Sequence, residues 1–187
     1  MKLRPSERVS EISEAGTAVS RVAAKSPPQF RIGAGNDLHR LAEARKLTLG
    51  GVQIPFDKGP VGHSDGDVLA HAICDALLGA ARLGDIGRHF PNTSARWKNV
   101  SSLRFLRHVR QMLKSAGYTI VNVDATVGLE RPKLAPHILL MEERVAAALG
   151  VQPSQVSVKA KSGEGLDAVG RGEAIRADAV ALIRCLP

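Results

Sequence analysis

The chain has 187 residues, 44% hydrophobic and 24% charged, proportions near globular averages that exclude a mostly disordered chain, a coiled coil or a collagen-like repeat. The length suffices for one domain burying roughly 70% of its unfolded surface. No run reaches the ~18 apolar residues of a membrane span, since the best candidate, Val68 to Leu83, carries His71, Asp75 and Arg82.

A net charge of +8 favours anionic partners. Aromatics make up only 3% of the chain, too few for base-stacking platforms, and the basic residues are dispersed. Two readings remain: a solvated excess of Lys and Arg, or a phosphate-rich small substrate. Nucleic acid and membrane partners are not expected.

Residues 1–29 combine Ser, Glu, Ala, Lys and Arg with a Pro27-Pro28 pair and show no sustained apolar face. They contain no apolar core of a secretory signal, and Glu7, Glu11 and Glu14 do not suit a transit peptide. This segment reads as a flexible N-terminal extension, and the folded domain as residues 30–187. The body opens with a short strand, Arg31 to Gly35, running into a Gly-rich turn. Lys46 to Leu49 and Val52 to Ile54 flank Gly50-Gly51, the pattern of a β-hairpin. A loop rich in Pro, Gly and Asp follows from Pro55 to Gly66.

Ser64-Asp65-Gly66-Asp67 has capping-box spacing, with Ser64 as the expected cap of a helix over Asp67 to Arg82 that ends at Gly84. A second helix runs over Ser101 to Ala116, with Leu103, Leu106, Val109 and Leu113 as its apolar stripe and Gly117 as its stop. Tyr118 to Leu129 alternates with one slip, which predicts a bulged strand. Pro136 opens a third helix reaching Leu149 before Gly150. Val156 to Lys161 and Ile175 to Ile183 alternate as two further strands. The order predicts an α+β fold: a single mixed β-sheet with helices packed on one face, plus a small hairpin. Cys74 and Cys185 both sit in apolar patterns and read as reduced core residues, suited to a reducing, cytoplasmic setting.

Three clusters carry chemistry. In Asp37-Leu38-His39, residues two apart on an extended segment share one side. They offer a carboxylate and an imidazole together, and His71 on the following helix is an available third ligand. Three protein ligands with an open fourth position describe a catalytic Zn²⁺ site. On spacing alone, a chance Asp-x-His and a satisfied core histidine explain the same residues. His63-Ser64-Asp65-Gly66-Asp67 reads as a helix start, and helix starts also collect phosphate. Asp85-Ile86-Gly87 reads either as a turn or as a carboxylate for polyol hydroxyls. Lys159 to Glu164 ends a strand in a polar loop: Lys161 and Ser162 can hold phosphate oxygens, and Glu164 can hold Mg²⁺. A solvated loop is the alternative. Arg171 and Glu173 read as a surface pair or as part of a site.

These stretches, with Gly50-Gly51-Val52, Asp75 to Ala80, Pro132-Lys133 and Gly170-Arg171-Gly172-Glu173, occur in an order that resembles the 2-C-methyl-D-erythritol 2,4-cyclodiphosphate synthases of the non-mevalonate isoprenoid pathway. The resemblance covers Arg31 to Leu186. It implies a homotrimer with active sites between subunits, and Zn²⁺, or another divalent cation, on Asp37, His39 and His71. It implies Mg²⁺ or Mn²⁺ on Glu164 with the substrate diphosphate. It gives His63 and Ser64 to substrate phosphate, and Asp85, Ile86 and Gly87 to the methylerythritol moiety. The cytidine pocket falls to Leu129, Lys133, Leu134, Ala135, Ala160, Lys161 and Ser162, and Arg171 is a further substrate-binding candidate near the trimer axis. His63, Ser162 and Glu164 are the implied catalytic residues. Ser162 keeps the hydroxyl of the family's usual threonine. The implied reaction forms a cyclic diphosphate and releases CMP from a cytidine diphosphate substrate. The competing readings are a zinc-dependent nucleotide diphosphate hydrolase and, more remotely, a basic nucleic-acid-binding module.

Overall fold

A computed structural model describes residues 29–186. The expected extension therefore lies, Gln29 aside, outside the described residues. The chain enters strand β1 (Phe30–Glu43) and passes through a hairpin of β2 (Leu47–Leu49) and β3 (Val52–Ile54) to β4 (Lys58–Pro60). Helices α1 (Val68–Ala80), α2 (Ile86–His89) and α3 (Leu103–Ser115) follow. Then come β5 (Tyr118–Gly128), α4 (Ile138–Leu149), β6 (Val156–Lys161) and β7 (Ala174–Cys185).

Five strands make one mixed sheet in the order β4-β1-β7-β5-β6, with only the β5–β6 pair parallel. The α+β class and the separate hairpin agree with the sequence pattern. In β7, Ile175, Ala177, Ala179, Ala181 and Ile183 are buried, while Arg176, Val180 and Arg184 are exposed. That period-two pattern puts one face of the sheet on the core, where α1 packs on β1 and β7 and α4 on β6. The predicted slip in β5 is a register shift between Ile120 and Asn122.

The largest departure concerns β1. The expected strand stopped at Gly35, where Gly33 and Gly35 read as a turn. The strand instead continues to Glu43 and pairs with β7 from Phe30 to Arg40. The glycines serve packing: a Cβ on Gly33 would lie 2.0 Å from the Ala76 carbonyl oxygen, and one on Gly35 2.2 Å from that of Ala72. Helix α1 thus rests directly on the β1 backbone.

The loop expected over Pro55–Gly66 contains β4, which pairs with the end of β1. Its Pro60 is tolerated because β4 is an edge strand. Ser64 is not the cap of α1. That role belongs to Asp67, whose carboxylate accepts from the Ala70 amide at 3.0 Å. The same carboxylate accepts from Gly50 at 3.0 Å and Gly51 at 2.7 Å, tying the hairpin turn to the helix start. Helix α1 also ends earlier than expected, by a left-handed Arg82 (φ 59°) with the Leu83 amide donating to the Leu78 carbonyl at 2.9 Å. At Pro136 the chain makes one 3₁₀ turn before α4 begins. Cys74 is fully buried, as expected, whereas Cys185 is only partly covered. Among the described residues no helix is long and apolar enough to cross a membrane.

Candidate active site

Strand β1 carries Asp37 and His39 on the face toward α1, and α1 presents His71 one turn after its cap. The Asp37 Oδ2 atom lies 2.9 Å from His39 Nε2 and 2.8 Å from His71 Nδ1. The three donor atoms fall within 4.8 Å of one another. The Asp37, His39 and His71 side chains are 24%, 18% and 12% exposed. Burial works to raise the Asp37 carboxyl, but hydrogen bonds and charge from both imidazoles outweigh it and hold the group well below the usual carboxylate range. The hydrogen bond to Asp37 raises His39 above its ordinary value, against a smaller opposing effect of burial. His39 Nδ1 donates to the Val61 carbonyl at 2.7 Å, which turns Nε2 toward the cluster.

One carboxylate and two imidazoles form a donor set suited to Zn²⁺. Tetrahedral zinc with bonds near 2.0–2.2 Å separates its ligand atoms by about 3.4 Å. The observed carboxylate–imidazole contacts need to open by about half an ångström to admit the ion, a small side-chain adjustment. The residues therefore fit a divalent metal.

The cluster sits at the foot of a cleft of about 550 Å³. His63, Ser64, Ile86 and Gly87 line it, as do Phe90, Asn92, Thr93, Trp97 and Phe105. His63 Nε2 donates to the Ser94 carbonyl at 3.1 Å. Asp85 is exposed and caps α2 by accepting from the Arg88 amide at 2.9 Å. The aromatic wall was not anticipated: Phe90 stacks on Phe105 at 4.5 Å between ring centres, with Trp97 edge-on to both. Scattered singly along residues 90–105, these rings show no period in the sequence. Ser102, fully buried beside His71, was not singled out, because it falls at the start of the helix expected over Ser101 to Ala116 and carries no pattern of its own.

A second cleft, of about 480 Å³, gathers Leu129, Lys133, Leu134, Ala135, Ala160, Lys161 and Ser162, together with Pro132 and Glu164. The seven residues assigned to a nucleotide by resemblance thus share one concavity. The Ser162 hydroxyl donates to Glu164 at 2.5 Å. The two clefts share no lining residue. Arg171 lies in neither: it is exposed and pairs with Glu173 at 3.1 and 3.2 Å.

Comparison with known proteins shows the family. The YgbB family profile matches residues 30–184. A 2-C-methyl-D-erythritol 2,4-cyclodiphosphate synthase from Desulfosudis oleivorans is 60% identical over 154 residues, covering 82% of this chain and 92% of that protein. A solved structure of a synthase of that name in its CDP-bound form matches with a TM-score of 0.76 at 38% identity, over 82% of this chain and 99% of the other. The bifunctional IspDF from Campylobacter jejuni matches with a TM-score of 0.81 at 36% identity, over 84% of this chain, which spans 42% of that longer protein. The chain belongs to the YgbB family, that of the 2-C-methyl-D-erythritol 2,4-cyclodiphosphate synthases.

Proposed function

We propose that the chain converts 4-diphosphocytidyl-2-C-methyl-D-erythritol 2-phosphate to 2-C-methyl-D-erythritol 2,4-cyclodiphosphate and CMP. The observation that carries this reading is the Asp37–His39–His71 donor cluster at the foot of a cleft, in a chain of this family. An oxygen of the 2-phosphate attacks the β-phosphorus. The bond from that phosphorus to the bridging oxygen of the α-phosphate breaks, and CMP leaves with the electron pair. The attacking oxygen is already anionic, so no side-chain nucleophile is required. What the protein must supply is orientation and charge neutralisation for two groups that repel each other.

Asp37, His39 and His71 would hold Zn²⁺, and Glu164 would hold Mg²⁺ or Mn²⁺ with the diphosphate; bound there, such cations supply Lewis acidity and neutralise phosphate charge. His63 and Ser64 sit where they can hold phosphate, and Asp85, Ile86 and Gly87 border the same cleft or flank it for the polyol. Leu129, Lys133, Leu134, Ala135, Ala160, Lys161 and Ser162 would hold cytidine. This assigns His63, Ser162 and Glu164 to substrate contact during turnover, and Arg171 to a more distant site.

A homotrimer with shared active sites belongs to the same reading. Two observations support it. The clefts are separate within one chain, the first beside β1 and the second at the end of β6, three inter-strand steps or roughly 14 Å away across the sheet. The sheet face turned from the helices leaves Phe30, Ile32, Leu38 and Val180 exposed, an apolar surface that a second copy would cover. The buried Cys74 thiol suits a reducing compartment such as the cytoplasm.

Phosphorus NMR of the product from the authentic substrate, run in ¹⁸O-labelled water, tests the proposal. A cyclic diphosphate and CMP in equal amounts, without solvent oxygen, are expected. Solvent oxygen in the product would establish a metal-dependent hydrolase instead.

A further inference from the structure

His71 offers its two ring nitrogens to different neighbours. Nδ1 faces Asp37 and the donor cluster. Nε2 faces the other way, 2.9 Å from Ser102 Oγ and 3.1 Å from Ser64 Oγ. Ser102 occupies the cap position of α3, where a serine hydroxyl ordinarily accepts a helix amide. Its hydroxyl makes no such bond. It contacts Asp65 Oδ1 at 2.5 Å instead, while its amide donates to Asp65 Oδ2 at 3.0 Å.

The proton count then settles the direction of the two bonds behind the ring. An ionised carboxylate only accepts, so the Ser102 hydroxyl proton goes to Asp65. The Ser102 oxygen is left to accept from His71, so Nε2 carries a proton. Nδ1 is left to face the donor cluster, where it contacts Asp37 Oδ2 and where it would offer its lone pair to a bound cation in place of that contact. His39 is held in the equivalent way, by the Val61 carbonyl behind its Nδ1. The two imidazoles thus present opposite nitrogens, and each has its rear N–H held by an acceptor.

We infer that Asp65 and Ser102 form a hydrogen-bonded relay that fixes the tautomer and ring plane of His71, and so sets the metal affinity of the site. They are positioning residues rather than ligands. Ser64 lies within reach of both members of the Ser102–His71 bond, beside His63 in the first cleft. If Ser64 turns toward phosphate, the buried Ser102 still holds the ring.

The inference rests on the metal reading of the site, and one set of titrations separates the two. The full chain is stripped of metal and titrated with Zn²⁺ against a chromophoric chelator. Ser102→Ala is expected to weaken binding roughly 10- to 100-fold, as removal of an outer hydrogen-bond partner of a metal-bound histidine does, while Ser102→Thr keeps the hydroxyl and restores most of it. In the zinc-loaded wild type, long-range ¹H–¹⁵N NMR is expected to show the His71 proton on Nε2, protected from exchange, and that protection is lost in Ser102→Ala. If the wild type binds zinc and Ser102→Ala binds it equally well, the relay is wrong and the metal site stands. If the wild type takes up no zinc, both fall. An unprotonated His71 Nε2 in the zinc-loaded wild type overturns the relay even where Ser102→Ala does not fold.

Discussion

The two clefts are built in different ways. The first is made of side chains held from several directions. Asp37 is bonded by both imidazoles, His39 by Val61, and His71 by Ser102, while Asp67 locks the start of α1 to the hairpin. The second is a mould of backbone and short side chains at the end of β6, where Lys133, Ala135, Lys161 and Glu164 are all exposed. A centre that must present a lone pair to an ion needs fixed atoms. On the proposed reading the second cleft holds a flat base, which needs a shape rather than fixed donor atoms.

Damage to the first cleft alone has the largest expected effect. His71→Ala should lose tightly bound metal and at least ~10³-fold in turnover, about 4 kcal/mol of transition-state stabilisation, while CDP binding by calorimetry stays near wild type. If metal content remains full, the ligand assignment is wrong. The first cleft also depends on the strand beneath it. Gly35→Ala drives a Cβ toward the Ala72 carbonyl and should cost about 3 kcal/mol by thermal or denaturant unfolding, with metal affinity reduced in whatever folds.

Damage to the second cleft should do the reverse. Lys161→Ala is expected to weaken CDP about tenfold, near 1.4 kcal/mol, with metal content unchanged; loss of zinc in this variant would mean the clefts are not independent. Glu164→Gln should raise the Mg²⁺ requirement several-fold in kinetic titrations and leave zinc in place. The smallest effect is on stability against pH in the metal-free chain. His39 is raised above 6.5 in the fold, so its contribution is full below pH 6.5 and fades as pH rises past the raised value. Asp37 is held below 3.8, so its contribution is full above pH 3.8 and fades only as pH falls toward the depressed value. The pair therefore helps most between pH 3.8 and 6.5, and Asp37→Asn should flatten the stability profile there.

What the sequence revealed follows the same division. Helices α1, α3 and α4, the hairpin and the bulge in β5 were legible because apolar periodicity and turn glycines are local signals. The length of β1 was not, because Gly33 and Gly35 have the same letters whether they turn a chain or admit a helix. Strand β4 was missed because Lys58-Gly59-Pro60 carries no alternation and exists only through pairing with β1. In the site, Asp37 and His39 stood out by their spacing, and Lys161, Ser162 and Glu164 of the second cleft by their place in a polar loop after a strand, while Leu129, Lys133, Leu134, Ala135 and Ala160 came from resemblance. Asp67 as cap was hidden by a plausible local alternative, and Ser102 as support by carrying no pattern of its own: only tertiary contacts decide what each does.

The contact of α1 with the bare backbone of β1 has one more consequence. The spacing of the strand and helix that carry the donors is set by main-chain atoms close against main-chain atoms at Gly33 and Gly35. Such a scaffold resists dilation. Only the side chains of Asp37, His39 and His71 are then left to adjust around an ion. The distance that any ion finds between strand and helix is thus set by two residues that carry no functional group.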